Sequence, residues 1–307
     1  MRKFLIITRN IFMGIIGLML LFVVGVFIYN QVMLKKEEVY WKNPPGTMVE
    51  VDGHNMHVYT EGSGNHTIIL LPGFGTASPY VDFLPMCQEL AKDYKVVIIE
   101  RFGYGLSDVV DGERSFETIV DQDRKALDKL GIKEPYVLCP HSISGIESLI
   151  WAQNYPEEVE AIIGMDMSDS SIKGDEEFHD GIFGVEGTGI RVLRAMGFLR
   201  FMADEAGSEE EKMIIAIGNR NFLNKTLLNE AKSVDAACDM IDNNPLPKVP
   251  TLQLVSNEAG DGWMASHQAI VDASSNGKLV ELDCGHYVYV EEPERVVEEI
   301  RGFLEAM

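Results

Sequence analysis

Val137-Leu138-Cys139-Pro140-His141-Ser142-Ile143-Ser144-Gly145 is the stretch on which the reading of this chain turns. An apolar run of strand length ends at Pro140, and a helical pattern opens at Ile143 and runs to Tyr155. The spacing predicts a strand, a sharp turn with Ser142 at its apex, and a helix that begins at once. Such an elbow, usually G-x-S-x-G, exposes a serine hydroxyl above the end of a sheet. The helix N-terminus beneath it turns free N–H groups toward a developing oxyanion. Its flanks must be small because neighbouring backbones approach closely. Pro140 and Ser144 stand where glycine is usual, with Gly145 one place further on. The plainer alternative is a helix start capped by Ser142 or Ser144.

Further segments of the same kind lie on either side. Met48–Val51 and Met56–Thr60 flank Asp52-Gly53 and read as a hairpin. Thr67–Leu71, Lys95–Ile99, Tyr136–Cys139 and Ala161–Met165 are continuous apolar runs of strand length, as expected for a parallel sheet covered on both faces. Helical patterns over Tyr80–Lys92, Phe116–Leu130 and Ile143–Tyr155 alternate with them. From about Asp169 to Pro247 no strand-like run occurs, and helices are expected over Ile190–Met202, Glu209–Ile217 and Phe222–Ile241. The alternation then resumes with Thr251–Val255, Trp263–Ala273, Leu279–Leu282 and Pro293–Ala306. The expected class is α/β, a doubly wound, mostly parallel sheet. Residues 47–168 and 248–307 form its core, and 169–247 form a helical cap over the strands' C-terminal edge, where open α/β sheets bind ligands.

The N-terminus is a different material. Ile11 to Tyr29 carries no charge, and as a helix it spans roughly 28 Å, close to the hydrocarbon thickness of a bilayer. Arg2, Lys3 and Arg9 precede it. No A-x-A-like cleavage site follows, so residues 1–29 read as a single-pass transmembrane anchor rather than a signal peptide. Residues 30–46 read as a stalk ending in Asn43-Pro44-Pro45-Gly46. With basic residues at both ends the positive-inside rule discriminates weakly. The first cluster and the free amino group favour the N-terminus inside a cell membrane and the body on the extracytoplasmic side.

Composition sets the remaining limits. The 307 residues are 46% apolar and 24% charged, which is ordinary globular usage. A net charge of −22 repels phosphate backbones and argues against a nucleic-acid partner. Four widely spaced cysteines, Cys87, Cys139, Cys238 and Cys284, suggest neither a zinc site nor a disulfide framework. Oligomeric state is left open.

Two more segments carry chemistry. Leu71-Pro72-Gly73-Phe74-Gly75-Thr76 follows one strand and precedes a helix. In a serine hydrolase this loop gives the second oxyanion donor, so the candidates are the backbone N–H groups of Phe74 and Ile143. Asp283-Cys284-Gly285-His286-Tyr287 follows the last strand, and a histidine there is well placed as general base. His141 adjoins the apex, with its side chain expected to point away from it.

Together these pieces resemble the α/β-hydrolase fold superfamily over roughly residues 46–307. The resemblance rests on Pro72-Gly73-Phe74-Gly75 (family pattern His-Gly-x-Gly) and on Glu100-Arg101-Phe102-Gly103-Tyr104-Gly105-Leu106-Ser107 (Asp-x-x-Gly-x-Gly-x-Ser). The elbow at Ser142 and Gly285-His286 with its trailing Glu-x-Pro complete it. It implies a serine nucleophile at Ser142, the base at His286 and a carboxylate to orient the imidazole. The family's usual acid follows the Thr251–Val255 strand, where Glu258 and Asp261 stand; some members place it after the preceding strand, where Asp166 stands. Asp166 is the first choice, with Asp261 and Glu258 as alternatives.

The function so implied is a membrane-anchored serine hydrolase cleaving a carboxylic ester or related acyl bond of a small molecule, without cofactor or metal. One alternative is an aminopeptidase of the proline-iminopeptidase type, whose substrate amine would meet Asp204, Glu205 or the Glu209-Glu210-Glu211 run. The other is a non-catalytic binding protein on the same fold.

Overall fold

A computed structural model describes residues 1–203, 206–257 and 260–307. Its strands are β1 (Thr47–Val51), β2 (His54–Gly62), β3 (Thr67–Leu71), β4 (Lys95–Glu100), β5 (Tyr136–Pro140), β6 (Val159–Met165), β7 (Thr251–Ser256) and β8 (Gly277–Leu282). They form one sheet in the order β1-β2-β4-β3-β5-β6-β7-β8. The β1–β2 and β2–β4 pairs are antiparallel and all others parallel. Because successive side chains point to opposite faces, each apolar strand feeds two cores. Ile69, Leu71, Val97, Ile99 and Leu138 join one. Ile68, Leu70, Val96, Ile98 and Val137 join the other.

Helices cover both faces. They are α1 (Arg2–Lys36), α2 (Val39–Lys42), α3 (Pro79–Leu90), α4 (Phe116–Lys129), α5 (Ser144–Asn154), α6 (Glu176–Phe183), α7 (Val185–Met196), α8 (Glu209–Asn221), α9 (Lys225–Ala231), α10 (Val234–Asp242), α11 (Asp261–Ala273), α12 (Val288–Glu291) and α13 (Pro293–Glu305). The first core is closed by α4 and α5 through Phe116, Ile119, Ile146 and Trp151, and the second by α3 and α13 through Phe83, Met86, Val296 and Ile300. Each such side chain, fully buried, contributes about 1.5–3 kcal/mol.

The segment between β6 and β7 holds α6 to α10 and two 3-10 turns, Ser170–Ile172 and Phe198–Phe201. Three details differ from expectation. Helix α6, capped by the Asp175 carboxylate on Phe178 N–H at 3.0 Å, was not anticipated. The helix expected over Ile190–Met202 begins at Val185 and stops at Met196, because Gly197 takes φ +88° and ends it in a left-handed cap. The stretch expected as one helix from Phe222 to Ile241 is two, with the first opened by Asn224, whose side chain accepts from Thr226 N–H at 2.9 Å.

Helix α1 is long and apolar enough to cross a membrane. It continues past Tyr29 to Lys36 and touches the β6–β7 segment. Asn30 is buried there, and the Arg200 guanidinium donates to Asn30 Oδ1 at 3.1 Å and to Glu37 Oε2 at 2.9 Å.

Candidate active site

The turn after β5 is built by its neighbours. His141 N–H donates to Leu71 O of β3 at 3.0 Å, carrying the sheet register one residue beyond the strand. Ser142 then takes φ +52°, a left-handed conformation that costs a non-glycine residue free energy and persists where the surroundings impose it. Here Ser142 O accepts from Ser168 N–H at 2.7 Å and from Gly145 N–H at 2.9 Å. The approach is close enough to need glycine. A Cβ on Gly145 would lie 2.1 Å from Ser168 O, and one on Gly73 would lie 2.6 Å from His141 Nδ1 and 3.2 Å from Ser142 Cβ. Gly145 therefore supplies the freedom that the glycine at the Ser144 position supplies in the usual pattern.

Ser144 does not cap the helix. Its hydroxyl donates to Pro72 O at 2.5 Å and accepts from the Arg101 guanidinium at 2.5 Å. Arg101 also pairs with Glu147 Oε2 of α5 at 2.7 Å and with Glu230 Oε1 of α9 at 2.9 Å, all three side chains being buried. This cluster ties the elbow helix to the β6–β7 segment. Sequence reading missed it, because its members are brought together only by the fold.

His286 lies in the loop after β8, its side chain 43% exposed. Its Nδ1 is 2.6 Å from Oδ2 of Asp166, the residue following β6. Asp166 is fully buried and accepts three more hydrogen bonds, from Ser256 N–H at 2.8 Å, Ser256 Oγ at 2.9 Å and Trp263 Nε1 at 2.8 Å. Burial pushes this carboxyl's pKa up, but the hydrogen bonds from His286, Ser256 and Trp263 outweigh it and hold it below the ordinary aspartate value. Of the other carboxylates considered, Asp261 is the first residue of α11, and Glu258 lies outside the described residues. The Ser256 donor could have been narrowed from register, since Met165 pairs with Leu254, which puts Asp166 opposite Val255 and one residue short of Ser256.

His141 adds a contact that the sequence did not suggest. Its ring lies tilted against those of His286 (centroids 4.8 Å apart) and Tyr287 (5.0 Å), and its Nε2 is 3.1 Å from His286 O. A carbonyl only accepts, so Nε2 carries the proton. Burial, with the adjacent His286 ring, pushes the His141 pKa down to about 3, so the ring is neutral. It braces the loop that carries His286.

Among the described residues, the backbone N–H groups of Phe74 and Ile143 donate no hydrogen bond within the chain. Phe74 packs edge-on against Phe178 of α6, ring centroids 5.3 Å apart. The Glu209-Glu210-Glu211 run opens α8 in a reciprocal cap between Ser208 and Glu211, an ordinary helix start. Asp204 and Glu205 lie outside the described residues. All four cysteines are free and buried, and burial raises the Cys284 thiol to about 11, far from a reactive thiolate.

Comparison with known proteins agrees with this architecture. A family model for the alpha/beta hydrolase fold matches residues 66–195. A Bacillus subtilis (strain 168) protein named "Uncharacterized protein YbdG" is 32% identical over 309 residues, covering 94% of each chain. Among solved structures, an esterase from Thermogutta terrifontis superposes with a TM-score of 0.63 at 20% identity, covering 86% of this chain and 98% of its own. An epoxide hydrolase variant from Vigna radiata superposes with a TM-score of 0.68 at 15% identity, covering 85% and 98%. With that family model matching β3 to α7 and the elbow between, the 32% identical relative spanning nearly the whole chain, and the fold shared with these structures, the chain belongs to the α/β-hydrolase fold family.

Proposed function

We propose that this protein is a membrane-anchored serine hydrolase that cleaves a carboxylic ester through an acyl-enzyme. The observation that carries the reading is a histidine whose Nδ1 rests on a buried carboxylate and whose ring lies 4.8 Å from that of His141, the neighbour in sequence of a half-buried serine on a left-handed turn. In this reading Ser142 Oγ attacks the ester carbonyl carbon while its proton passes to His286 Nε2. Asp166 fixes the imidazole with its proton on Nδ1 and stabilises the imidazolium. The carbonyl oxygen becomes an oxyanion held by the N–H groups of Phe74 and Ile143. His286 returns the proton to the departing alcohol. Water then repeats the sequence on the acyl-enzyme, releasing the carboxylic acid and restoring Ser142. A serine at the apex supports acyl transfer over epoxide opening, which in this fold uses a carboxylate nucleophile. Helix α1 serves as the anchor, with the body on the extracytoplasmic side of a cell membrane and residues 169–247 as the cap that shapes the substrate pocket.

The test is covalent. A fluorophosphonate probe should label the folded protein and not Ser142→Ala, and Ser142→Ala should lose hydrolysis of p-nitrophenyl butyrate while keeping its circular dichroism. Absence of labelling in folded parent protein would overturn the reading in favour of a non-catalytic binder.

A further inference from the structure

The contacts between α1 and the β6–β7 segment fix a depth. The rings of Phe22 and Phe198 are 6.0 Å apart, as are those of Tyr29 and Phe201. Tyr29 ends the uncharged run, and Phe22 lies seven residues inside it, about 10 Å along the helix. The packing is tight, since a Cβ on Gly197 would lie 2.5 Å from Asn30 Cβ. If the uncharged run fills the hydrocarbon layer, the corner formed by α7 and the Phe198–Phe201 turn must sink into that layer beside it. Its surface suits that position. Val192, Phe201 and Met202 are 50%, 61% and 64% exposed. Residues 185–202 carry three arginines against one glutamate, in a chain that is otherwise strongly acidic. Arg200 turns back to Glu37 and Asn30, at the level where α1 leaves the uncharged run.

Behind this corner lies an apolar cavity of about 280 Å³, lined by Leu199, Met202, Ile214, Ile215, Phe222 and Ala77 among others. Of its lining residues, Met202 belongs to the corner itself. Two others adjoin the oxyanion loop: Ala77 follows it in sequence, and Phe222 is 3.8 Å from where a Cβ on Gly75 would be.

We infer that the α7 corner is immersed in the bilayer beside α1, and that the cavity behind it admits the acyl chain of a membrane-resident, long-chain ester to Ser142. This rests on the anchor and serine-hydrolase readings above and adds to them the side from which substrate enters. The physical logic is that a long acyl chain already dissolved in lipid passes from one apolar medium to another without crossing water.

The experiment uses the full chain reconstituted in phosphatidylcholine vesicles containing some phosphatidylglycerol. An environment-sensitive fluorophore is placed on Phe201→Cys or, as a control far from α1, on Lys133→Cys. Brominated acyl chains should quench the first label at least about threefold more than the second, given the expected depth. In the same vesicles, Phe201→Asp should lower hydrolysis of embedded 4-methylumbelliferyl palmitate about tenfold or more, since a carboxylate is costly at that depth. Its hydrolysis of dissolved p-nitrophenyl butyrate should stay within about twofold of the parent, with the hydroxyl and imidazole untouched. Equal quenching at both positions, in protein that floats with the vesicles and takes the fluorophosphonate, overturns the inference and leaves both earlier readings standing. So does a blue-shifted but unquenched Phe201→Cys label, which would mean that a second copy of the chain covers the corner. Failure to float overturns the anchor reading and the inference with it. Selective quenching without cleavage of either ester supports the immersed corner but overturns the hydrolase reading and the proposed substrate.

Discussion

Replacing Asp166 by asparagine tests the site at its most constrained atom. The substitution keeps one oxygen and turns the other into an NH2 group. Ser256 N–H and Trp263 Nε1–H both meet Oδ1, and neither can do anything but donate. The retained oxygen is therefore held at that position, and the NH2 group faces His286 Nδ1 and the Ser256 hydroxyl. The hydroxyl can rotate to accept. The imidazole can accept at Nδ1 only by moving its proton to Nε2, the nitrogen that receives the proton of Ser142 in the proposed mechanism. The general base is thus blocked by a tautomer change with little movement of atoms. The expected loss in kcat is about 10³–10⁴-fold, or roughly 4–5.5 kcal/mol of transition-state stabilisation, with KM nearly unchanged. The assay is steady-state hydrolysis of p-nitrophenyl butyrate, with Glu258→Gln and Asp261→Asn measured alongside and expected within about threefold of the parent. If Asp166→Asn keeps more than about a tenth of the parent kcat, or if either companion variant collapses instead, the argument fails.

Gly145→Ala drives a methyl group into Ser168 O and should cost about 1–3 kcal/mol, read as a lower urea midpoint at unchanged m-value. Arg101→Met leaves Glu147 and Glu230 buried without their counter-charge and should cost about 3–5 kcal/mol, with part recovered when Glu147→Gln and Glu230→Gln are added; no recovery would mean that the lost packing, not the lost charge, sets the cost. For Asp82, burial and then the nearby Glu100 charge push the carboxyl up to about 6. An unfolded aspartate releases its proton near about 3.9, so the folded state holds an extra proton between about 4 and 6 and stability falls as pH rises through that window. Asp82→Asn should flatten this slope in urea midpoints taken from pH 4 to pH 7, and an unaltered slope would assign it to another group.

The sheet was legible because its strands are nearly all apolar and bounded by turn residues. Thr67–Leu71 was read to the residue, and the hairpin about Asp52-Gly53 and the elbow helix to within a few. Between β6 and β7 the reading was poorer for a physical reason. Those helices are short, so packing rather than local propensity sets their limits. Asn224 shows it, capping α9 while its amide donates to Gly103 O, a residue distant in sequence. At the candidate site, Ser142 and His286 were singled out from their places at strand ends, together with a set of possible acids. Asp166 was the first choice among them, and its contact with His286 is present, but sequence alone left Asp261 and Glu258 open because the choice depends on where the loop after β8 carries the imidazole. The ring of His141 was expected to point away from the apex, and one-dimensional reading had no means of setting it against a loop 145 positions away.

The Arg101 cluster bears on recombination within this family. Segments such as 169–247 invite exchange between relatives, because both ends of the graft fall at the edge of the sheet. Here the exchange would not be neutral. An incoming segment without an acid at the place of Glu230 would strand one side of a guanidinium in a dry interior, directly behind the helix that follows the Ser142 turn. Donor helices and the recipient's Arg101–Tyr104 loop would have to travel as one unit, and a chimaera that divides them would lose the rigidity of its serine before it lost its pocket.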